Sequence, residues 1–387
     1  MTNLGKTDGT KPGIDVMADG RFSISWVDNN GDLKMTVLDT ATTGRIIKGT
    51  NGVDDLTGTA FSDTIYGYGG NDFLYSGTGG NDTFIGGPGA DYFFIQNPEG
   101  NHTASYVSAA SGVDANLTKG KGFKGDASGD TLLGISNLVG SPFGDTLVGN
   151  GNNNKLSGLG GNDALSGMAG NDLLEPGTGK DVVDGGDGVD VVSYAGISKG
   201  VTINLAVTDG SSNAGEAFGD TILNVEGATG TSFADTLLGT SGDNKLIGNA
   251  GNDILKGFGG ADVLRGGFGK DLIYPGSGPD DIIIDHARTS SRDTIYGFST
   301  GYDQIQLSVA GDYKGFSKGT TWTQNGQAIF VKGTNPTVTK ALPTILYDTD
   351  TGLVQVDLDG TGTKFNLVEM ILLDGAPQLA ANDFVLF

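Results

Sequence analysis

The aspartates of this chain recur every nine residues over three long blocks. The second block (Asp145–Asp190) and the third (Asp235–Asp280) keep this spacing without a slip, with asparagine at one position in each. The first block (Asp54–Asp91) contains a single spacing of ten. Such a short fixed period means that one small unit is repeated and stacked on itself. We therefore expect a solenoid rather than a conventional globular domain.

An apolar residue follows each of these 17 phased positions, always two residues later. Examples are Ile65, Leu174 and Ile273. Side chains alternate between the two faces of a strand, so this residue is the inward-pointing middle of a three-residue strand. Two turns and two strands would make one coil of 18 residues. Successive coils would then lie about 4.8 Å apart, the usual distance between paired strands.

The residues before each aspartate are rich in glycine. Glycine permits the positive φ angles of a tight turn, and such turns let carbonyl oxygens converge on one point. The aspartate adds a carboxylate to these carbonyls. Sites with oxygen ligands alone and a high coordination number favour calcium over zinc or copper. The pattern therefore predicts calcium ions in the turns, although turns shaped by glycine and aspartate alone are the competing interpretation.

The fullest copies are GGPGADYFF from Gly86, GGDGVDVVS from Gly185 and GGFGKDLIY from Gly266. They match the consensus GGxGxDxUx, in which U is a large apolar residue, and the chain resembles the RTX nonapeptide family of calcium-binding secreted proteins. This resemblance implies an all-β fold, a parallel β-roll or β-helix solenoid in three calcium-binding blocks. It also implies that each ion lies between a turn and the equivalent turn of the next coil, with about 6–12 calcium ions in all.

The predicted metal-binding residues are the repeat aspartates and the glycines of their turns. In the first block they are Asp63, Gly67, Gly69, Asp72, Gly77, Gly79, Asp82, Gly86, Gly87, Gly89 and Asp91. In the second they are Asp145, Gly149, Gly151, Gly158, Gly160, Asp163, Gly167, Asp172, Gly177, Asp181, Gly185, Gly186, Asp187, Gly188 and Asp190. In the third they are Asp235, Gly239, Gly248, Asp253, Gly257, Gly259, Asp262, Gly266, Gly267, Gly269, Asp271, Gly276 and Asp280. Asn154 and Asn244 replace aspartate, each followed by lysine, so we expect weak or empty sites there.

Composition explains why ions would be needed. The chain has 69 glycines in 387 residues and only 36% hydrophobic residues, so the entropy cost of folding is large and the apolar core is small. The formal net charge of −23 repels nucleic acid and anionic lipid, which makes both unlikely partners, and attracts cations. There is no cysteine, which excludes disulfides and thiolate zinc sites.

Two features bear on localisation. The N-terminal residues have no apolar segment of a classical secretory signal, and no stretch approaches the roughly 18 apolar residues of a membrane helix. The C-terminal part, with DTIYGFSTGYDQIQLS from Asp293 and the final acidic-then-apolar Asp383–Phe387, resembles the end of serralysin-like proteins. That resemblance implies an uncleaved type I secretion signal and a bacterial protein at the cell surface or outside the cell. A buried last strand is compatible with it.

Seven segments are predicted along the chain. They are an N-terminal β-hairpin or cap module (1–48), a first β-roll (49–100), a β connector (101–140), a second β-roll (141–193), a second connector (194–230), a third β-roll (231–285) and a C-terminal capping and secretion-signal domain (286–387). The hairpin rests on the alternation of residues 21–27 and 33–37 around the turn DNNGD. The connectors share the spacing of fifteen from Asp130 to Asp145 and from Asp220 to Asp235.

Catalytic signatures are weak. The two histidines are His102 and His286, and the HExxH motif of a zinc protease is absent. Three GxSxG segments occur (196–200, 297–301 and 315–319), yet the nucleophile elbow requires a strand–turn–helix that no segment here predicts. Asp285 and His286 with Ser299 form at most a fragment of a triad. We therefore expect no enzyme activity.

Three functions remain open from the sequence. The first is a structural or adhesive protein of a surface layer or biofilm matrix, which would self-associate. The second is a module that binds cell-surface polysaccharide, for which an exposed aromatic strip or a basic groove would argue, and Trp26 and Trp322 are candidate stacking residues. The third is the carrier region of a larger exported enzyme. The expected partners are calcium ions and the type I secretion machinery.

Overall fold

The structure is a computed structural model that describes residues 13–16, 22–27, 33–38, 43–96, 99–285, 292–307, 329–334, 336–337, 344–357 and 367–386. These residues form 35 β-strands and three short 3-10 helices, Gly125–Ala127, Gly215–Ala217 and Ala381–Asp383. Over the same ranges there is no α-helix, and no helix is long and apolar enough to cross a membrane. The predicted all-β class is confirmed.

The described residues up to Pro142 belong to one compact unit. Its strands are β1 (Gly13–Val16), β2 (Phe22–Val27), β3 (Leu33–Leu38), β4 (Ile46–Lys48), β5 (Asp55–Thr57), β6 (Thr64–Tyr66), β7 (Phe73–Tyr75), β8 (Thr83–Ile85), β9 (Tyr92–Phe94), β10 (Thr103–Ser105), β11 (Asp114–Asn116), β12 (Lys121–Lys124) and β13 (Asn137–Val139).

Strands β1 to β3 form a small antiparallel sheet of their own. Phe22 pairs with Leu38 and Val27 with Leu33, and β1 adds a third strand. Strands β4 to β10 and β13 pair in parallel. One sheet has the order β4-β6-β8-β10-β13 and the other β5-β7-β9.

The second compact unit runs from Phe143. Its first strands are β14 (Thr146–Val148), β15 (Lys155–Ser157), β16 (Ala164–Ala169), β17 (Leu173–Glu175), β18 (Val182–Asp187), β19 (Val191–Ser193), β20 (Thr202–Asn204), β21 (Thr221–Leu223), β22 (Gly227–Thr229) and β23 (Thr236–Leu238). They continue as β24 (Lys245–Ala250), β25 (Ile254–Gly259), β26 (Val263–Phe268), β27 (Leu272–Ser277), β28 (Asp281–Ile284), β29 (Asp293–Ile295) and β30 (Gln304–Leu307). The last are β31 (Ile329–Gly333), β32 (Thr344–Asp348), β33 (Leu353–Asp357), β34 (Leu367–Leu373) and β35 (Phe384–Leu386).

Parallel stacking dominates this unit as well. One sheet follows the order β15-β17-β19-β22-β24-β26-β28-β30-β35, and two others follow β14-β16-β18-β21 and β20-β23-β25-β27-β29-β34. The pairing partners within a block are 18 residues apart, as Thr146 and Ala164 show. The chain thus changes sheet every nine residues, and each coil of 18 residues contributes one strand to each of the two sheets that it joins. Near the C-terminal end, strands β34, β33 and β32 pair antiparallel. The predicted β-roll is confirmed.

The middle residue of each repeat strand fills the interior. Of the 17 apolar residues predicted to point inward, all but Leu56 are at most 2% exposed, and Leu56 is half-buried. Neighbouring residues on the same strands remain at the surface, since Val182 beside Val183 is 47% exposed. Each repeat therefore buries one large apolar side chain, which contributes about 1.5–3 kcal/mol.

The predicted connectors supply coils of the same stack. In residues 101–140, β10 and β13 continue the first sheet, while β11 and β12 form an antiparallel hairpin. In residues 194–230, β21 and β22 continue two sheets of the second unit. Both connectors also contain one of the 3-10 helices, with Ala127 and Ala217 fully buried.

Candidate functional site in the turns

Hydrogen bonds join each repeat aspartate to the next coil. The main-chain N–H of Asp145 donates to Oδ1 of Asp163 at 2.8 Å, and that of Asp163 donates to Oδ1 of Asp181 at 2.8 Å. On the other edge Asp172 donates to Asp190 at 2.7 Å. We call such a series a ladder. One carboxylate oxygen of each repeat aspartate is thereby committed to holding two coils together.

The second side-chain oxygen separates the turns, apart from the one ending at Asp145, into two kinds. In eleven turns Oδ2 is buried without a hydrogen-bond partner, and we call these the open turns. They end at Asp72, Asp82, Asp91, Asp163, Asp172, Asp181, Asp190, Asp253, Asp262, Asp271 and Asp280. All eleven side chains belong to residues at most 2% exposed. A buried carboxylate oxygen without a partner is costly, so an open turn needs a further group to complete it.

Backbone conformation explains why these oxygens are unpaired. The residue four positions before the aspartate of each open turn, or five before Asp82, has a positive φ. These residues are Tyr68, Gly77, Gly87, Leu159, Met168, Gly177, Gly186, Asn249, Phe258, Gly267 and Gly276. None of their N–H groups donates to the carboxylate. Five of them are not glycine, and a left-handed conformation there costs about 1–3 kcal/mol each, strain of the type found at functional sites.

In the second kind, the capped turns, Oδ2 of the aspartate or Oδ1 of the asparagine accepts the N–H of the residue four positions earlier. They end at Asp54, Asp63, Asn154, Asp235, Asn244 and Asp303. The donor residue is threonine, serine or asparagine in every case. In the turn to Asp235, Thr231 donates its N–H at 2.6 Å, and its Oγ1 also donates to the carboxylate. A capped turn is complete without an added group.

Glycine allows oxygens from two coils to approach each other. A Cβ placed on Gly167 would lie 2.2 Å from Oδ2 of Asp172 and 2.5 Å from the carbonyl oxygen of Gly185 in the next coil. A Cβ on Gly248 would meet Asp253 and Gly266 in the same way. Both distances are far inside van der Waals contact. Glycine is therefore required where a carboxylate and a carbonyl of successive coils converge.

Burial raises the pKa of the open-turn carboxyl groups. It raises the pKa to about 7 for Asp91, Asp163, Asp181, Asp253 and Asp262, and to about 6 for Asp190 and Asp271. Burial is the largest cause in each case, and the ladder hydrogen bond from the preceding coil partly offsets it. The carboxylates are thus held in an environment that favours neutralisation, by a proton or by a cation.

The donor set fits calcium. Within the described ranges, no three histidine, aspartate or glutamate side chains converge on one point. The turns offer instead one carboxylate each, with an unpaired oxygen, beside main-chain carbonyls. All are hard oxygen donors, which calcium prefers. The eleven open-turn aspartates are therefore the residues that would hold the ions, and an ion there would complete their unpaired Oδ2 atoms.

The predicted residues are distributed over both kinds of turn. Asp63 and Asp235 lie in capped turns, and the exposed Asp187 lies on strand β18 rather than beside an unpaired oxygen. Asn154 and Asn244, expected to mark weak sites, are capped. The assignment of individual ligands stays a prediction.

Several ladder residues were missed in the sequence. Asp91 donates its N–H to Asp130, Asp181 to Asp220 and Asp190 to Glu226, so the ladders extend into both connectors. The repeated spacing of fifteen from Asp130 and Asp220 to the next block was the available signal. The ring of His102 occupies a ladder position too, because its Nδ1 accepts the N–H of Asp82 at 3.2 Å.

The fragment of a triad is not assembled in the described part of the chain. Asp285 forms an ion pair with Arg265. Ser299 belongs to the capped turn ending at Asp303. His286, Trp322 and the side chain of Trp26 lie outside the described residues.

Comparison with known proteins agrees with this geometry. The sequence profile of the RTX calcium-binding nonapeptide repeat matches residues 48–80, 75–94, 139–174, 177–196, 229–257 and 255–282. No curated protein matches the chain. The matched segments contain all eleven open turns, and repeats of this family bind multiple calcium ions. The chain therefore carries RTX calcium-binding nonapeptide repeats, spread across residues 48–282.

Proposed function

We propose that this chain is a bacterial protein exported without its calcium, which folds outside the cell as calcium fills the open turns. The observation that carries the proposal is the set of eleven buried, unpaired Oδ2 atoms. At submicromolar calcium their carboxylates would repel one another, and the chain would stay extended enough to thread a secretion channel. Extracellular calcium modules bind at about 10⁻⁴–10⁻³ M, so an exterior concentration would drive folding.

The C-terminal strand supports export by the type I route. Strand β35 pairs in parallel with β30, placing Phe384 opposite Ile305, and Phe384 is 3% exposed. The segment predicted to be a secretion signal is thus also the last strand of a sheet. A signal that is sequestered on folding suits a chain that is exported unfolded and is not cleaved afterwards.

A structural or adhesive role at the cell surface follows as the proposed task, without catalysis. A stack of repeats with a net charge of −23 can be bridged to further copies by divalent cations. The test is circular dichroism of the purified chain during calcium titration, followed by light scattering. We expect strand signal to appear with calcium and large assemblies to grow from the folded chain. Strand signal retained in chelator would contradict calcium-driven folding, and a stable monomer at saturating calcium would contradict the matrix role.

A polysaccharide-binding module is the second candidate, and an exposed aromatic strip favours it. The strip consists of Phe73, Tyr75, Tyr92 and Phe94 on the outer faces of β7 and β9. The rings of Phe73 and Tyr92 lie 6.2 Å apart between centroids, and those of Tyr75 and Phe94 lie 5.4 Å apart. Phe73 and Phe94 are 45% and 42% exposed. Flat aromatic surfaces of this kind can stack on sugar rings.

Affinity electrophoresis in gels that contain alginate or a neutral glucan tests this second function. The wild-type chain should be retarded in the presence of calcium, and a Phe73→Ala/Phe94→Ala variant should migrate freely. Val182→Ala, which removes an exposed side chain from a strand elsewhere, is the control and should remain retarded. Equal migration of all three in both gels would exclude the strip as a binding surface for these polymers.

A further inference from the structure

The capped turns are not scattered among the open ones. In the first block the turns to Asp54 and Asp63 are capped, and every later turn of that block is open. In the third block the turns to Asp235 and Asn244 are capped, and again the later four are open. The second block has its capped Asn154 turn at the same place. A capped turn therefore stands near the N-terminal side of each block, and one further capped turn, ending at Asp303, follows the third block.

The C-terminal side of the ladders is also closed by groups of the protein itself. Asp130 accepts the N–H of Asp91 with Oδ1, and its Oδ2 accepts the hydroxyl of buried Tyr106 at 2.9 Å. The second block repeats this arrangement. Asp220 accepts the N–H of Asp181 with Oδ1, and its Oδ2 accepts the hydroxyl of Tyr194 at 2.6 Å. These aspartates have the ladder position of an open turn, but a tyrosine replaces the missing partner.

The other edge ends in closures of different chemistry. The ladder through Asp190 ends on Glu226, whose Oε2 accepts the N–H at 2.9 Å. The ladder through Asp280 ends on Asp303, whose Oδ2 is capped by the N–H of Ser299 at 2.7 Å. In the Asp280 ladder the open turns are thus followed by a residue that is satisfied within the protein. The Asp190 ladder is followed by a half-buried glutamate, and the Asp271 ladder by Asp293.

The distribution of asparagine is independent support. Asparagine stands in two of the six capped turns, at Asn154 and Asn244, and in none of the eleven open turns. Its Oδ1 accepts the capping N–H just as an aspartate oxygen does, at 2.7 Å from Asn150 and 2.6 Å from Thr240. A capped turn therefore tolerates the loss of a negative charge. An open turn retains the charge because nothing in the protein completes the carboxylate.

We propose that each block is an ion-binding run of open turns held between ion-independent closures, so that calcium occupies the open turns and the capped turns bind none. The inference rests on calcium binding by the repeats and specifies which turns use it. The closures confine the ions to the interior of each run. They also give each block a hydrogen-bonded start that involves no ion.

Two substitutions in one ladder test the proposal, because Asp54 donates its N–H to Oδ1 of Asp72 at 2.8 Å. Asp72→Asn changes an open turn and Asp54→Asn the capped turn before it. The full chain of each variant is dialysed against calcium at several concentrations, and bound calcium is counted by atomic absorption. We expect Asp72→Asn to bind fewer ions per chain and Asp54→Asn to bind as many as the wild type. An equal loss in both variants would overturn the proposal.

Hydrogen exchange of the folded wild-type chain, followed as calcium is withdrawn stepwise, gives a second readout. The amides of Thr59 and Thr231, which donate to carboxylates in capped turns, should exchange at least tenfold more slowly than open-turn amides such as Gly170 and Gly260. Equal exchange at both kinds of turn would contradict the closures while leaving calcium binding intact. A wild-type chain that bound no calcium at all would overturn calcium-driven folding itself, so the two failures are distinguishable.

Discussion

The turns that end at Asn154 and Asp172 are neighbours in one ladder, and they differ in the hydrogen bonding of their side-chain oxygens. The N–H of Asn154 donates to Oδ1 of Asp172, so their backbones match one above the other. Four residues earlier, Asn150 donates its N–H to the Asn154 side chain, whereas Met168 has a φ of 81° and leaves Oδ2 of Asp172 unpaired.

The difference shows that the same nine-residue repeat can either supply a main-chain donor to its side-chain oxygen or leave that oxygen unpaired. One residue, four positions before the aspartate, decides whether the main chain caps the carboxylate. A capped turn gains hydrogen bonds and needs no ion. An open turn has a strained backbone residue and an unpaired buried oxygen, and that oxygen is available as a ligand.

The largest expected effect that separates the two kinds of turn is a dependence of folding stability on pH in the absence of calcium. Burial raises the pKa of several open-turn aspartates to about 6–7 in the folded chain, against 3.8 ordinarily. A carboxyl group whose pKa is raised in the folded chain contributes its full stabilisation at a pH below its pKa in the unfolded chain. That contribution is lost as the pH rises through its pKa in the folded chain. The calcium-free fold should therefore be favoured near pH 4 and lost as pH rises towards about 7.

Circular dichroism of the calcium-free chain from pH 4 to pH 8 measures this loss. At saturating calcium the same scan should be much flatter near pH 7, because bound cations neutralise the carboxylates in place of protons. Strand signal that increases with pH in the calcium-free chain would contradict the burial of unpaired carboxyl groups.

The next largest effect is expected from Gly167→Ala. The added Cβ would collide with Oδ2 of Asp172 and with the Gly185 carbonyl oxygen, which costs about 1–3 kcal/mol of unfolding free energy and displaces a ligand. The calcium concentration at half-folding should rise, as measured by circular dichroism. Gly151→Ala is the matched control, because nothing lies within 4 Å of its Cβ. If both variants behave alike, the convergence of oxygens at Gly167 is not needed.

Tyr194→Phe should have a smaller effect, confined to stability. Loss of the hydroxyl leaves Oδ2 of Asp220 without its donor, at a cost of about 1.5 kcal/mol for a hydrogen bond to a charged group. Urea denaturation at saturating calcium measures that cost, and the number of bound ions should not change. Tyr302→Phe, at a side chain 72% exposed, is the control. A gain of one bound ion in Tyr194→Phe would show that the closure had become an ion site, which would sharpen the comparison further.

The smallest effect is expected from Asn154→Asp. The N–H of Asn150 would still donate to the side chain, so the capping hydrogen bond is kept. We expect a stability change within about 0.5 kcal/mol and an unchanged count of bound calcium. Equilibrium dialysis of Asn154→Asp and of Asp172→Asn measures the number of bound calcium ions for both replacements, asparagine by aspartate and aspartate by asparagine. An additional ion in Asn154→Asp would show that charge alone, rather than the cap, keeps calcium out.

Much of the fold was predictable because its signal is local and periodic. The nine-residue spacing determined which residues point inward, and Leu74, Leu174 and Leu255 are all fully buried as expected. Leu56 is less buried although it has the same phase, because β5 is the end strand of its sheet and has a partner on one side alone.

In the classified turns, threonine or serine at the position before the aspartate that decides capping occurs only in capped turns, but asparagine occurs in both kinds. Asn150 has an ordinary backbone conformation and its N–H caps the side chain of Asn154. Asn249 has a φ of 78° and does not cap the side chain that follows it. The conformation of that residue depends on the coils stacked beside it. The closures in the connectors escaped for a related reason, since Asp91 and Asp130 are 39 residues apart and only the stacking of coils brings them together.

The ladder has a direction, and truncation should therefore act differently at its two sides. At Asp163 both main-chain groups are satisfied from the following coil: the N–H by the carboxylate of Asp181 and the carbonyl by the N–H of Val182. Removing the coils after Asp163 leaves these two main-chain groups without partners, whereas removing the coils before it leaves the Asp163 carboxylate and the N–H of Ala164 without theirs. Chains cut between coils should accordingly present main-chain groups at a new C-terminal end and a charged carboxylate at a new N-terminal end.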